Sequence, residues 1–317
     1  MAQDELDKSV KLAWQSKLVL LAVLPFAGTD VMLSCFGWAT VSFAVVVWTA
    51  GLSSLLGLIT WRLRAATPMA ALSGALITAS LMFSTAEFPL ESSSMAPWRI
   101  EPWRTALIPV LAVSFLAFAA TRAGRRKKER LGVAEPRRGR SASQVAANLG
   151  MAALVASEPV KILLSNSRWF NTLYLPLAFR IETLSLALPL AALAEAAADT
   201  VSSEIGQVLG GRPRMITTLR AVEPGTDGAV SMAGTLAGLV AAAIVAGAGT
   251  WAMRGGWSLF NLSCAGAAFG LLFDSLLGAT LEKRGWLNND AVNFLSTAGA
   301  AGFALLLLAL VPIHGIG

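Results

Sequence analysis

Long apolar stretches that follow one another along the chain constrain its fold more than any other feature. They cover residues 18–33, 38–61, 68–88, 105–121, 145–164, 183–198, 231–253, 259–281 and 291–311. An α-helix needs about 20 mostly apolar residues to cross a bilayer, and it satisfies its backbone hydrogen bonds internally. We therefore predict an all-α fold, a polytopic membrane helical bundle of eight to nine transmembrane helices. The count is nine if residues 18–33 cross the bilayer, and eight if Pro25 and Asp30 make that stretch re-entrant.

Composition agrees with a membrane protein and excludes several kinds of chemistry. Charged residues make up 14% of the chain and hydrophobic residues 55%, whereas soluble domains contain about 25% charged residues. The single histidine, His314, lies beside the C-terminus, and Cys35 and Cys264 are far apart in the sequence. We expect no histidine-based catalysis, zinc site or disulfide framework. Chemistry must then rely on carboxylates, hydroxyls, amides, arginine or lysine, and a hard cation.

A run of basic residues sets the expected orientation. It comprises Arg122, Arg125, Arg126, Lys127, Lys128, Arg130, Arg137, Arg138 and Arg140. Such a run is typical of a cytosolic loop; attraction to anionic headgroups is compatible with it. Nucleic-acid binding is not expected, because no aromatic pattern accompanies the run.

The basic run also divides the chain. We expect N-terminal transmembrane helices (1–121), a basic cytosolic loop (122–144) and a C-terminal catalytic transmembrane region (145–317). With the basic loop inside the cell, the polar segments gather on the cytosolic side. The chain is thus predicted to be a multi-pass protein of the cell membrane, with an active site that faces the cytoplasm.

Carboxylates and hydroxyls are concentrated in residues 194–206, directly after an apolar run. If the run continues as a helix, Glu195, Asp199 and Ser202 share one face, whereas Asp199 and Glu204 diverge. Carboxylates at a bilayer surface are costly without a cation or another partner. We interpret this stretch as half of a Mg²⁺–phosphate site, with residues 212–228 as the other half.

Residues 212–228 combine arginines with turn dipeptides. Pro224-Gly225 and Asp227-Gly228 favour turns, whose backbone N–H groups would form an anion nest before the helix that begins near Ser231. A tight cytosolic turn whose arginines set the topology is the alternative. Gly234 and Gly238 form a GxxxG pair, which is typical of close helix packing.

Polar residues also enter two of the C-terminal apolar stretches. Asp274 lies inside one stretch, and an intramembrane acid is a functional hypothesis by default. A packing role beside an arginine or a helix-end amide is its alternative. Asn289 and Asn293 enter the last stretch, where capping and interhelical hydrogen bonds explain them as easily as ligand contact.

These segments, in this order, resemble a family of integral-membrane proteins that includes plant phytyl-phosphate kinase. The resemblance covers residues 135–310. The family itself is distantly similar to CTP-using phytol kinase, dolichol kinase and CDP-diacylglycerol synthase. The matching residues are Gly139-Arg140-Ser141-Ala142-Ser143-Gln144-Val145, Asn148-Leu149-Gly150, Ala198-Asp199-Thr200-Val201-Ser202-Ser203-Glu204-Ile205-Gly206, Ile216-Thr217-Thr218-Leu219-Arg220, Pro224-Gly225-Thr226-Asp227-Gly228, Gly234-Thr235-Leu236-Ala237-Gly238, Asp274-Ser275-Leu276-Leu277-Gly278 and Asn293-Phe294-Leu295-Ser296.

The resemblance implies transfer of a phosphoryl group from a nucleoside triphosphate to an isoprenyl monophosphate in the membrane, with CTP as the expected donor. It implies Asp199, Glu204 and Asp274 as catalytic residues and Mg²⁺ ligands, and it leaves a homodimer possible. The substrate- and nucleotide-binding residues implied are Arg140, Asn148, Thr200, Ser203, Arg214, Thr218, Arg220, Gly225, Thr226, Asp227, Gly228, Ser231, Thr235, Ser275, Asn289 and Asn293. The chain departs from the family pattern at Leu219-Arg220 and at Thr226-Asp227, so the nucleotide preference stays open.

Two other readings fit the same residues. A lipid-phosphate cytidylyltransferase would direct the acceptor phosphate at the α- rather than the γ-phosphorus. An ion-coupled transporter or lipid-binding membrane protein would use Asp199, Glu204 and Asp274 to carry a proton or an ion.

Overall fold

The computed structural model describes residues 2–36, 43–86, 101–134, 138–166 and 177–310. These residues are almost entirely helical, and the strands among them form a two-residue antiparallel pair, β1 (Arg214–Met215) and β2 (Ala229–Val230). The α-helices are α1 (Ala2–Phe36), α2 (Phe43–Arg62), α3 (Pro68–Ser84), α4 (Leu107–Arg122), α5 (Arg125–Leu131), α6 (Ala142–Ala156), α7 (Glu158–Ser165), α8 (Leu177–Leu209), α9 (Met232–Ala252), α10 (Trp257–Leu277) and α11 (Asn289–Leu310).

Helix α8 is the centre of the bundle. It packs against α4, α6, α9, α10 and α11. Its residues 187–198 are all buried, and most of them are alanine. Small side chains let the surrounding helices approach closely, which is how helices associate in lipid, where burial of apolar area between them contributes little. Every side chain on this part of α8 is therefore set against a neighbouring helix.

The predicted GxxxG packing is present between α9 and α8. A Cβ atom at Gly238 would lie 2.7 Å from the Ala198 carbonyl oxygen, and one at Gly234 would lie 2.6 Å from that of Ser202. Both distances are too short for a real side chain, so glycine is required where α9 crosses the end of α8 that carries the carboxylates.

The outer surface of the bundle is apolar. Phe115 and Leu21 are each 69% exposed, and Trp257 is 80% exposed, which suits contact with lipid rather than water. In the part of the chain that the structure describes, five helices are long and apolar enough to cross a membrane. A sixth is added if α4 and α5, which bend by 61°, count together. The chain is thus an all-α membrane helical protein.

Within the described residues, helix length and composition give fewer spans than the predicted eight or nine. Helices α3 and α6 are apolar but have 17 and 15 residues, fewer than the about 20 that a perpendicular crossing needs. The predicted span 145–164 is divided at Ser157, whose extended backbone separates α6 from α7. Pro159 follows at the start of α7, a position that tolerates proline.

The structure also bears on two other predictions, and for residues 18–33 it favours the first alternative, since they lie in a helix long and apolar enough to cross a membrane. Residues 18–33 lie inside the continuous helix α1 rather than in a re-entrant segment. Asp30 is buried in it and accepts hydrogen bonds from the hydroxyls of Ser80 (2.6 Å) and Ser84 (2.9 Å), which explains how the helix tolerates an acid. The predicted basic loop 122–144 contains helix α5, and the side chain of Lys128 within it is buried.

The polar segments meet at one end of the bundle. This end contains the last turns of α8 and α10 and the first turns of α6, α9 and α11. Helix α1 reaches it as well, because the side-chain amide of Gln15 donates to the Trp286 carbonyl at 2.8 Å. The predicted convergence of distant segments is confirmed.

Candidate active site

Asp199 and Asp274 form the centre of the candidate site. Asp199 is on α8 and Asp274 on α10; both are half-buried, and both line the same cavity. Helix α8 continues to Leu209, so Asp199 and Glu204 diverge as the sequence predicts. Glu195, one turn before Asp199, is buried beneath the pair and packs against α10 at Gly270.

The pair lines a polar cavity of about 290 Å³, which we call the acidic cavity. Four carboxylates contribute to its wall: Asp199, Asp227, Asp274 and Glu282. Hydroxyl and amide groups complete it, from Ser203, Ser231, Ser275, Asn289 and Asn293 among others. The negative charges of these carboxylates repel one another, so the acidic cavity favours binding of a cation.

The wall opposite the helices is the turn at Pro224–Gly228. It is held by the β1–β2 pair and by a hydrogen bond from the Ala229 N–H to the Thr226 carbonyl at 3.0 Å. Gly228 has a φ of +74°, and a Cβ there would overlap the backbone of Ala279. Glycine thus allows the turn to rest on the π-helical segment Gly278–Glu282 that ends α10.

A helix start also faces the acidic cavity. Ser231 is the N-cap of α9, and its hydroxyl accepts a hydrogen bond from the Gly234 N–H at 3.1 Å. The first turn of a helix presents unpaired N–H groups and favours anions. This helix start and the turn before it are the parts of the acidic cavity suited to phosphate oxygens.

A second, smaller cavity of about 100 Å³ adjoins the first and shares Asp199, Ser203, Asn289 and Asn293 with it. We call it the arginine recess, because Arg140 lines it. The other lining residues are Gln144, Asn148, Thr200 and Glu204.

Arg140 is fixed by its backbone. Its N–H donates to the Ala65 carbonyl at 2.9 Å and its carbonyl accepts from the Thr67 N–H at 3.0 Å. Its guanidinium reaches the Thr200 hydroxyl at 3.4 Å. The preceding Gly139, with a φ of +80°, passes the 65–66 backbone too closely for a side chain. The arginine therefore enters the recess from a rigid turn.

Glu204, predicted as a metal ligand, has a different partner. Its carboxylate forms a buried salt bridge with Lys128, whose ammonium also donates to the carbonyls of Ala120 (2.8 Å) and Thr121 (3.2 Å). The pair joins α5 to α8. Glu204 still contributes to the wall of the arginine recess, but its charge is balanced by lysine.

Several predicted binding residues lie away from both cavities. Arg214 is exposed, and its guanidinium donates to the Leu219 carbonyl at 2.9 Å. Thr218 and Arg220 are exposed on the same hairpin, and Thr235 lies one turn into α9; none of the four lines the acidic cavity or the arginine recess. The described residues do not show the predicted arginine clamp, since the side chains of Arg214 and Arg220 are both exposed.

The structure also places at the site residues to which the sequence analysis gave no catalytic or binding role. Glu195 and Glu282 supply acids beside the central pair, and Gln144 lines the recess. For Glu195 and Glu282, the helical spacing to Asp199 and Asp274 is the signal that places them nearby. Asn289 and Asn293 prove to line both cavities, while Asn288 caps α11 by accepting from the Ala291 N–H at 2.9 Å.

The donor set suits a hard divalent cation held by few protein ligands. Among the described residues, no three histidine, cysteine, aspartate or glutamate side chains gather as a metal-binding group. However, Oδ1 of Asp274 is buried with no hydrogen-bond partner in the described part of the chain, and Asp274 lines the same cavity as Asp199. Mg²⁺ is commonly bound through one or two carboxylates together with substrate phosphates and waters. The two aspartates fit that pattern.

Comparison with known proteins places the chain among membrane proteins. An uncharacterised membrane protein of Synechocystis sp. is 36% identical over 214 residues, which cover 66% of this chain and 75% of that relative. The chloroplastic protein VTE6 of Arabidopsis thaliana is 31% identical over 201 residues, or 62% of this chain and 57% of VTE6. An uncharacterised membrane protein of Methanocaldococcus jannaschii is 42% identical over 108 residues, or 34% and 45%.

The last two matches span less than two thirds of those relatives. No solved structure matches this chain significantly. The profile of the family described as "Integral membrane protein DUF92" matches residues 51–301, which is most of the chain. The predicted relationship to a family of integral-membrane proteins is confirmed, and the chain belongs to the DUF92 family.

Proposed function

We propose that this protein is a membrane-embedded kinase. It would transfer the γ-phosphate of a nucleoside triphosphate to an isoprenyl monophosphate and so form the diphosphate. CTP is the expected donor. The observation that carries the proposal is the shared wall of two polar cavities: the acidic cavity and the arginine recess meet at Asp199, Ser203, Asn289 and Asn293. Such a pair of neighbouring subsites is what a donor phosphate and an acceptor phosphate require.

The charges of the two cavities indicate which one would bind the donor and which the acceptor phosphate. The donor triphosphate suits the acidic cavity in the presence of Mg²⁺ held by Asp199 and Asp274, because the cation neutralises both carboxylates and phosphates. The turn Pro224–Gly228 and the start of α9 supply N–H groups for the donor. The acceptor phosphate suits the arginine recess, where Arg140 is the cationic side chain among the lining residues.

The reaction makes few demands on protein groups. An anionic oxygen of the acceptor phosphate attacks the γ-phosphorus, the bond from that phosphorus to the β-phosphate bridging oxygen breaks, and the nucleoside diphosphate leaves with the electron pair. Since the attacking oxygen is already ionised, no general base is needed. Phosphoryl transfer depends mainly on alignment and on stabilisation of charge, which these cavity walls provide. A cytoplasmic location of the site accords with the basic residues at this end of the bundle.

The test is phosphate transfer by purified protein with Mg²⁺ and a panel of isoprenyl monophosphates, run in parallel with α- and γ-labelled CTP. We expect label in the lipid product from γ-labelled CTP alone. Asp199→Asn and Asp274→Asn should each lower the rate by about 10²-fold or more, equivalent to about 2.7 kcal/mol of transition-state stabilisation. Glu223→Gln is the matched control, since Glu223 is exposed on the same loop and lines neither cavity.

The same assay separates the alternatives. Transfer of the α-label would identify a cytidylyltransferase instead. The four carboxylates of the acidic cavity favour ion-coupled transport as the second candidate. Lack of transfer by folded protein with any nucleotide, together with cation-dependent uptake into vesicles that Asp199→Asn abolishes, would replace the kinase by a transporter.

A further inference from the structure

A larger cavity of about 550 Å³ lies beside the arginine recess, between α2, α3, α4 and the start of α6. Its volume is typical of a small-molecule site. Its wall is mainly apolar and small, with Gly57, Ala71, Gly74 and Ala117 among the lining residues. At Gly57 the helices α2 and α3 nearly touch, since a Cβ there would lie 2.8 Å from the Ala71 carbonyl oxygen. We call this cavity the channel, because its apolar lining follows α4 over several turns.

The two ends of the channel differ in charge. Helix α4 lines it from Val110 to Arg122, a length of about 18 Å at 1.5 Å per residue. Arginines meet at one end: Arg64, Arg122, Arg125 and Arg140. Toward Val110 the lining becomes apolar. A molecule that matches this distribution has an anionic head and a single apolar tail.

The basic end of the channel opens beside the proposed site of phosphoryl transfer. Arg140 and Asn148 line both the channel and the arginine recess. Arg122 is held at the channel mouth by a hydrogen bond to the Leu63 carbonyl (2.8 Å) and by the ring of Phe118, 4.3 Å from its guanidinium carbon. A phosphate bound at Arg140 would therefore have its tail directed along α4.

We infer that this channel binds the isoprenoid tail of the acceptor, with the monophosphate at Arg140 and the hydrocarbon along α4 toward Val110. This inference rests on the proposed function for the identity of the lipid. The recess of about 100 Å³ accommodates a phosphate monoester more readily than a phosphodiester headgroup. The channel volume of about 550 Å³, likewise, suits one chain better than the two chains of a bilayer phospholipid. Its finite length makes tail length a determinant of binding.

The experiment measures binding of geranyl, farnesyl and geranylgeranyl monophosphate to the purified full chain without nucleotide, so that turnover plays no part. Ala117→Phe adds a ring inside the channel. Its matched control is Ala119→Phe, on the exposed face of the same helix two residues on. We expect Ala117→Phe to weaken binding by about tenfold or more, most strongly for the longest tail, and Ala119→Phe to leave all three affinities unchanged.

Gly74→Leu fills the channel from the opposite wall, where a Cβ has an ordinary 3.5 Å contact with Val145. It replaces Ala117→Phe if that variant does not fold. Equal affinities for the channel-filling variant and Ala119→Phe across the panel would overturn the inference. So would a co-purified phospholipid that isoprenyl monophosphate cannot displace.

The outcome is separable from that of the kinase assay. Tail-dependent binding that Ala117→Phe weakens, in protein without transferase activity, supports the channel and rejects the kinase. Transferase activity with an unchanged KM for every tail length in Ala117→Phe supports the kinase and rejects the channel.

Discussion

The buried pair of Lys128 and Glu204 offers a sharp test of which carboxylates belong to the site. Both side chains are almost fully enclosed, with 1% and 8% of their surfaces exposed. Lys128→Met leaves the Glu204 carboxylate without its cation, which for a buried ion pair costs about 3–5 kcal/mol. Glu204→Met should cost less, about 2–3 kcal/mol, because the ammonium keeps two carbonyl acceptors and hydrogen bonds to charged groups contribute about 1.5–3 kcal/mol each.

The double variant Lys128→Met/Glu204→Met decides the matter. Replacing both members of a buried ion pair by apolar residues is often neutral, so the double variant should lose at least about 2 kcal/mol less than the sum of the two single variants. The free energy of unfolding in mixed micelles measures this, and transferase activity of the folded fraction is followed beside it. We expect activity to recover together with stability.

A different result would refute this reasoning. If Glu204 ligates the metal directly, Glu204→Met abolishes activity and the double variant restores none of it, whatever happens to stability. If Lys128→Met is as stable as the unaltered protein, the pair does not join α5 to α8 as the structure indicates. Arg126→Met, in the same helix α5 but with an exposed side chain, controls for loss of positive charge.

Two glycine comparisons test how the site is built. Gly228→Ala should destabilise the protein and reduce transferase activity, because the added Cβ meets the backbone of Ala279. Gly211 also has a positive φ but has open space around it, so Gly211→Ala should cost only about 1 kcal/mol. Equal losses in unfolding free energy would show that backbone strain alone matters. Gly238→Ala should lower the unfolding free energy by about 1–3 kcal/mol through overpacking against α8. Its control in the same helix is Gly247→Ala, whose Cβ would lie 3.8 Å from the Phe260 ring. That variant should be neutral or stabilising. Thermal unfolding in detergent measures both pairs, and a Gly247→Ala loss as large as that at Gly238 would contradict the close-contact explanation.

The site was predicted best where one helix carries several of its residues. The spacing of Glu195, Asp199 and Glu204 along α8 settles their relative directions, because a helix turns by a constant angle per residue. The structure agrees with these directions. Glu195 and Asp199 face α10, and Glu204 points toward α5. The turn signals at Pro224–Gly228 likewise describe local backbone geometry, and that turn lines the acidic cavity.

The arginines of the hairpin were harder to place. Arg214 and Arg220 follow the carboxylates closely in sequence, which makes them natural phosphate ligands. Arg214 is on the two-residue strand β1 and Arg220 follows it outside either strand, and segments this short have no periodicity from which to predict side-chain direction. Proximity along the chain therefore gave the wrong side of the loop for these side chains, which the structure leaves exposed.

Sequence alone determined what is local or additive in this protein: its helices, its residence in a membrane, its glycine contacts and the acids that share a helical face. These follow from hydropathy and from the fixed geometry of the helix. Only the tertiary structure decided which charges meet. Lys128 neutralises Glu204 across 76 positions of sequence, and Arg140 joins the apolar channel to the arginine recess. Such pairings depend on how helices pack, and small residues allow many packings that a one-dimensional pattern does not distinguish.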